Sequence, residues 1–265
     1  MKKKRLFFGF KVDAPWPDAL PEGRYLHEED RHITVAFLGD IDFTLLKENL
    51  HSCPKPGFHT GLVGMFDRCV FLPKRKANVA AWHIKWFDEV DLVNTYQKEI
   101  VHWLQKVGFS LKTYDNFLPH TTICRRPFKE KEWEDAFEPL PMMITDLQLY
   151  ESLGNSKYEA IWKKDMKPPF EEFEHTADIA FRIWGEDIKQ LHLHARHALA
   201  FKFPSLVAIF SPVKEKESVE DIVIDLNEIV SEADQRWGCP FKAVSFHGDI
   251  RRKEELLCWE MIVDV

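Results

Sequence analysis

Two short stretches, RHITVAFLG at 31–39 and LPHTTICR at 118–125, decide how this chain is expected to fold. Each is short and rich in apolar residues, as a β-strand is, and each contains a His-x-Thr tripeptide, beginning at His32 or at His120. Side chains two residues apart on a strand point to the same face. Each tripeptide therefore presents an imidazole and a hydroxyl to one side, and two such strands brought together would line a cleft.

Strands dominate the rest of the first 165 residues. Further strands are predicted at 5–12, 58–72, 79–87, 142–153 and 158–162, and helices at 43–53 and 90–107. The segments 58–72 and 79–87 are expected to form a hairpin. Gly154-Asn155 predicts a second hairpin turn, and Gly108 is expected to end the longer helix.

The segment KKDMKPP at 163–169 indicates a boundary, because a charged run ending in Pro-Pro continues neither a strand nor a helix comfortably. Residues 1–166 carry no net charge, whereas residues 167–265 carry the whole net charge of −7. We predict a domain at 1–165, a linker at 166–169 and a second domain at 170–265. In the second domain, strands are expected at 179–183, 242–246 and 257–263, and helices around 191–199 and 219–229.

The composition is that of a globular protein, with 45% apolar and 30% charged residues among 265. No apolar run approaches the roughly 18 residues that a membrane-spanning helix needs. The apolar segment 6–10 after the basic N-terminus is too short for a signal peptide. Five cysteines without a Cys-x-x-Cys pair imply neither a disulfide framework nor a zinc site, so we expect a cytoplasmic protein with no membrane partner.

The paired tripeptides suit phosphodiester hydrolysis. One group must take a proton from the attacking water and another must give a proton to the departing oxygen. Histidine can do either, because its unperturbed pKa of about 6.5 lies near working pH. Threonine hydroxyls can bind the phosphoryl oxygens, where charge builds up in the transition state. The alternative is that these are ordinary strand residues, and a single His-x-Thr would favour that interpretation. Two copies favour the catalytic one.

Together, His-x-Thr-x-x-Phe-Leu-Gly from His32 and Pro-His-x-Thr-x-x-Arg ending at Arg125 resemble the two-histidine phosphoesterases, over roughly residues 5–163. The nearest branch is that of the 2'-5' RNA ligases, or RNA 2',3'-cyclic phosphodiesterases. The resemblance implies an α+β fold of two lobes, with two antiparallel sheets around a central cleft, flanked by helices. It also implies that RNA with a 2',3'-cyclic phosphate end is opened to a 2'-phosphate without a cofactor. His32 would be the proton donor and His120 the proton acceptor. The residues implied to hold the phosphate are Thr34, Thr122 and Arg125, with Arg126 as an alternative to Arg125.

The second domain resembles archease, a small protein that assists the RNA ligase of tRNA splicing. The resemblance rests on His-Thr-Ala-Asp-Ile at 175–179, Leu-Asn-Glu at 226–228, Lys-Ala-Val-Ser-Phe-His at 242–247 and the final Val-Asp-Val. It implies a small α+β domain that binds calcium or magnesium and contacts an RNA ligase. The implied metal ligands are Asp178, Asp264 and the carboxylate of Val265. Ala180 replaces a usual glycine, and the stretch between 229 and 242 is shortened.

Three functions stay open at this stage. The first is the cyclic phosphodiesterase acting on RNA, in RNA repair or tRNA splicing. The second is a non-catalytic, archease-type accessory of an RNA ligase, whose N-terminal part only binds RNA ends. The third is hydrolysis of a small cyclic nucleotide, because the width of the cleft depends on loops that the sequence does not place. Two imidazoles paired with hydroxyls favour an enzyme, since a binding module has no need of them.

Overall fold

The computed structural model describes residues 3–87, 91–111, 117–174, 178–213, 216 and 218–265. The strands of the first part are β1 (Lys4–Asp13), β2 (Arg24–Tyr25), β3 (His32–Ile41), β4 (Val63–Leu72), β5 (Val79–Trp86), β6 (His120–Arg125), β7 (Leu140–Gly154) and β8 (Lys157–Asp165). Its α-helices are α1 (Phe43–Asn49), α2 (Leu92–Val107) and α3 (Glu130–Asp135). The two hairpins form as predicted, with Leu72 opposite Val79 and with positive φ at Gly154 and Asn155 in the second turn.

The eight strands belong to one sheet, in which β1 pairs with both β3 and β7. The path β1-β3-β6-β5-β4-β7 therefore returns to β1 and closes into a barrel-like ring. The expectation of two separate sheets is wrong in this respect. The strand of the first motif and that of the second pair directly at Ile33 and Thr121, and this contact joins β3 to β6. The α+β class with antiparallel pairing is confirmed.

Helix α2 forms for the reasons that its sequence predicts. The Asp91 side chain accepts a hydrogen bond from the Asn94 backbone N–H and so caps the first turn. Gly108 ends the helix with φ of 113°, a conformation that glycine adopts without a steric penalty. The buried residues of α2 recur at three and four positions, and they are Val93, Tyr96, Ile100, Trp103 and Leu104. This face closes one side of the core that the ring of strands encloses.

The described residues of the second part form a five-stranded antiparallel sheet and two α-helices. Its strands are β9 (Phe170–Phe173), β10 (Ile179–Gly185), β11 (Ala243–Phe246), β12 (Arg251–Lys253) and β13 (Leu256–Asp264), in the order β11-β13-β10-β9 with β12 beside β13. Its helices are α4 (Ile188–Lys202) and α5 (Val219–Trp237). Helix α5 runs eight residues beyond its predicted end because Gly238 is the first residue to leave the helical conformation. No helix among the described residues is long and apolar enough to cross a membrane.

The two parts are packed against each other. Val63 of β4 is fully buried in the core of the second part, and Met65 and Met143 pack against that core. Segment 166–169 is hydrogen-bonded to both parts. Gly61 N–H of the first part donates to Lys167 O at 2.7 Å, and Trp184 N–H of the second part donates to Pro169 O at 2.9 Å. The break between the sheets falls at this segment, and the division into domains stays a prediction.

Candidate active site

The two motif strands meet in a register that gathers all four predicted side chains. Ile33 and Thr121 form the pair that joins β3 to β6, and both are buried on the inner face. Their neighbours along each strand therefore point outward. Extending the antiparallel register by one residue in each direction sets His32 opposite Thr122 and Thr34 opposite His120. The site thus has an approximate two-fold symmetry about the Ile33–Thr121 pair.

Each catalytic candidate is held by the same hydrogen bond. His32 Nδ1 lies 2.7 Å from the backbone oxygen of Asp30, and His120 Nδ1 lies 2.7 Å from that of Leu118. A carbonyl oxygen can only accept, so Nδ1 carries the hydrogen in both rings. Nε2 of each ring is therefore the atom that can take or give a proton at the outer face.

The pocket of His32 is aromatic. Its ring lies 4.6 Å from that of Phe7, 5.1 Å from Tyr150 and 4.9 Å from Tyr158, measured between centroids. This burial lowers the pKa of His32 to about 4, although the bond to the Asp30 carbonyl opposes the shift. The positive charges of His120 and Arg125 lower it further. Without a bound anion, His32 is neutral at pH 7.

His120 is shifted in the same direction. Burial lowers its pKa, the Leu118 carbonyl opposes this, and the charge of the neighbouring His83 lowers it further. A neutral His120 can accept a proton at once. A phosphate bound between the two rings would raise the pKa of both, because its negative charge favours their protonated forms.

The structure distinguishes the two adjacent arginines. Arg125 Nη2 donates to the hydroxyl of Tyr158 at 3.2 Å, and its charge acts on His32. Arg126 is turned away, because its Nε donates to the Ala77 carbonyl and its Nη2 contacts Glu130 at 3.1 Å. Arg125 is therefore the arginine that stands beside the paired histidines.

Three residues of this site have no local sequence signal that would have pointed to them. Tyr158 contacts His32 through its ring and Arg125 through its hydroxyl, while its backbone N–H donates to Asp30 Oδ1 at 2.9 Å. Tyr150 stacks on Phe7 behind the same imidazole, with centroids 5.0 Å apart. The third is His83, which lies directly opposite His120 on β5 and lacks the His-x-Thr context. Only the pairing of distant strands brings these side chains to the site.

The predicted metal ligands lie at one end of the second sheet. Ile179 pairs with Val263, and this register sets Asp178, the residue before β10, beside Asp264. Lys242 Nζ donates to the Val265 oxygen at 2.6 Å and so places a positive charge next to the predicted ligands. Residues 175–177 of the archease-like motif lie outside the described residues. Within the described ranges, no group of three or more His, Cys, Asp or Glu side chains is placed to hold a metal ion.

Comparisons with known proteins find likeness in structure only. No family model matches the sequence, and no curated protein matches it. Among 26 matching solved chains, Escherichia coli LigT complexed with 3'-AMP is 16% identical with a TM-score of 0.45, covering 62% of this chain and 99% of its own. A chain described as a phosphoesterase is 16% identical with a TM-score of 0.44, covering 63% and 99%. A Thermus thermophilus protein is 14% identical with a TM-score of 0.47, covering 62% and 98%. We infer the activity from the geometry of the site.

Proposed function

We propose that the protein is a metal-independent, two-histidine phosphodiesterase that opens RNA 2',3'-cyclic phosphate ends to 2'-phosphates. The observation that carries this proposal is the pair of imidazoles, each held through Nδ1 by a backbone carbonyl and each opposite a threonine of the other strand. A structural role would not require two rings oriented alike about one strand pair.

The reaction needs two proton transfers. Water attacks the phosphorus of the cyclic phosphate while Nε2 of His120 takes its proton. The bond between phosphorus and the 3' oxygen breaks, and Nε2–H of His32 gives a proton to that oxygen. The product is a 2'-phosphate with a free 3'-hydroxyl. The hydroxyls of Thr34 and Thr122 and the guanidinium of Arg125 would bind the non-bridging oxygens.

Binding of the substrate would itself favour protonation of His32, the proposed general acid. The pKa of His32, lowered by burial to about 4, is too low for the ring to hold a proton at pH 7. Binding of the phosphate anion favours the protonated ring and so supplies the donor. Burial lowers the pKa of His120 and so favours the neutral ring, which is the form that accepts a proton. Which histidine is the donor follows from the family resemblance, and the near-symmetry of the site is compatible with that assignment.

An exposed aromatic side chain on the same face supports a nucleotide substrate. Phe37 pairs with Phe7 across β3 and β1, and Phe7 packs on His32. The Phe37 ring is 49% exposed, and the Arg5 guanidinium lies 4.9 Å from its centroid. An exposed ring beside a cation is a surface on which a nucleobase can stack. The base of the terminal nucleotide would therefore stack on the Phe37 ring.

The test is hydrolysis of a short RNA that ends in a 2',3'-cyclic phosphate, in the presence of excess EDTA. We expect hydrolysis at an unchanged rate with the chelator and a 2'-phosphate as the product, because the proton transfers use only side chains. Phosphatase treatment and chromatography against both monophosphate standards identify the product. Loss of activity in EDTA, or a 3'-phosphate product, would contradict the proposal. A cyclic mononucleotide run in parallel tests the small-nucleotide alternative.

A second proposal concerns the archease-like part, and it rests on the register that sets Asp178 beside Asp264. Two neighbouring carboxylates are oxygen ligands of the kind that calcium or magnesium takes. The Lys242 ammonium beside Val265 competes for the same position. If the site binds metal, this part would serve as an accessory to an RNA ligase, as the resemblance implies.

We expect calcium or magnesium to raise the Tm of the full-length protein if this site is occupied. A ligand at 100 times its Kd stabilises the folded state by about 2.7 kcal/mol. The full chain is required because Val63 of the first part belongs to the core of the second. Asp264→Asn should remove the Tm shift and leave phosphodiesterase activity intact, whereas Asp249→Asn, on the described surface of the same part, should not. An unchanged Tm in the wild type would exclude the metal site.

A further inference from the structure

A carboxylate holds His83 beside the catalytic pair. His83 Nδ1 lies 2.6 Å from Oδ1 of Asp67, and the other carboxylate oxygen of Asp67 lies 2.7 Å from Nη1 of Arg68. Asp67 therefore bridges two basic side chains. We refer to Asp67, Arg68 and His83 as the His83 cluster.

The backbone of β4 is irregular where the cluster forms. Phe66 pairs with Ile84 and Arg68 with His83, so Asp67 is the extra residue of a β-bulge. A bulge re-aims the side chains around it, and bulges are enriched beside active sites. In a regular strand the side chains of Asp67 and Arg68 would point to opposite faces of the sheet. The bulge allows the Asp67 carboxylate to contact both His83 and Arg68.

The cluster continues the row of catalytic side chains across the sheet. His83 lies directly opposite His120 in the pairing of β5 with β6, so both imidazoles stand on the same face. Thr34 lies beyond His120 on β3 by the register of the Ile33–Thr121 pair. Adjacent strands are about 4.8 Å apart. The His83 cluster is thus one to two strand spacings from the place where the scissile phosphate would lie.

We propose that the His83 cluster is a second phosphate subsite, which binds the 5'-phosphate of the nucleotide whose cyclic phosphate is hydrolysed. In an RNA chain this group is the phosphodiester to the preceding nucleotide. The inference rests on the proposed function and deepens it, because it makes the RNA chain, rather than a nucleoside cyclic phosphate, the preferred substrate class.

The dimensions of a ribonucleotide agree with this placement, because only one ribose separates its 5'-phosphate from its 2',3'-cyclic phosphate. The cluster on β5 and β4 lies across β6 from β3, one to two strand spacings from the proposed position of the cyclic phosphate.

Binding would use the doubly protonated form of His83. Its Nδ1–H is taken by Asp67, so Nε2 is the nitrogen left for a ligand. A phosphate bound there would accept a charge-assisted hydrogen bond from the Nε2–H of this ring. The other charged groups near this ring are Arg68 on β4, His120 on β6 and Lys85 on its own strand. All of them carry positive charge when protonated, which favours an anion there.

The experiment compares cytidine 2',3'-cyclic phosphate with and without a 5'-phosphate, using the full-length protein. We expect the 5'-phosphate to raise kcat/KM about tenfold, the size expected of one charge-assisted hydrogen bond. His83→Gln should bring the ratio of the two kcat/KM values close to one, and Asp67→Asn should lower it. His102→Gln is the matched control, because His102 is an exposed histidine on α2, and it should keep the wild-type ratio.

Each outcome decides the inference. Equal kcat/KM for the two substrates in the wild type overturns the phosphate subsite while leaving the phosphodiesterase intact. A high ratio that survives His83→Gln overturns the assignment to this cluster. If neither substrate is hydrolysed, the proposed function fails. Calorimetric binding of cytidine 3'-phosphate with and without a 5'-phosphate then makes the same comparison without turnover. Thermal unfolding of each variant shows whether a changed ratio reflects the subsite or a damaged fold.

Discussion

We expect replacement of His32 or His120 by alanine to lower kcat for 2',3'-cyclic phosphate hydrolysis by at least about 10²-fold, the usual cost of losing a general acid or base. Each ring supplies an Nε2 that exchanges a proton on one side of the predicted phosphate position. Single-turnover kinetics on a cyclic-phosphate RNA measures the loss directly. The double variant should be little slower than either single variant, because residues that act as a unit are not additive.

His102→Ala is the control for these variants, since this exposed histidine lies on α2. It should keep the wild-type rate. A His32→Ala or His120→Ala protein that folds normally and keeps nearly full activity would show that the imidazole pair is structural. Circular dichroism and thermal unfolding exclude a trivial loss of fold, which is a concern for His32 because its ring packs against three aromatic side chains.

The second large effect is a loss of stability in mild acid, to which three buried histidines of α4 contribute together with His32. Burial lowers the pKa of His192 and His194 to about 4 and that of His197 to about 3. All three are therefore neutral in the folded protein, whereas an unfolded histidine titrates near 6.5. A group with a lowered basic pKa contributes its full stability above 6.5 and loses it as the pH falls towards the folded value.

We therefore expect the free energy of unfolding to decrease steadily between pH 6.5 and 4. Each histidine lowered to about 4 contributes about 3 kcal/mol across that range. Urea unfolding at pH 7.5, 6 and 5 measures the slope. His197→Met should reduce the slope by about 1.4 kcal/mol per pH unit, the contribution of one proton, because burial lowers the pKa of His197 the furthest of the three. Equal stability at pH 7.5 and pH 5 would contradict the burial of these rings as neutral groups.

Local patterns were sufficient for most of the secondary structure. The alternation around each His-x-Thr predicts strands whose histidine and threonine share a face, and β3 and β6 have that form. The turn at Gly154-Asn155 and the end of α2 at Gly108 were predictable because each depends on a backbone conformation that few residues adopt. The sequence predicts no strand at 170–173, and the segment becomes β9 by pairing with β10. That pairing is a contact with another segment, which a local pattern does not contain.

The candidate site likewise combines residues that the sequence predicts with residues that only the tertiary structure brings to it. The residue types and their spacing within each strand predict His32, His120 and the two threonines as site residues. This is possible because the face to which a side chain points depends only on its position within its own strand. Which arginine stands beside them, and the contributions of Tyr158 and His83, depend on strands that are distant in the sequence and adjacent in the sheet. The closure of the sheet into a ring also depends on pairing between distant segments, because Ile33 pairs with Thr121 and these residues are far apart in the sequence.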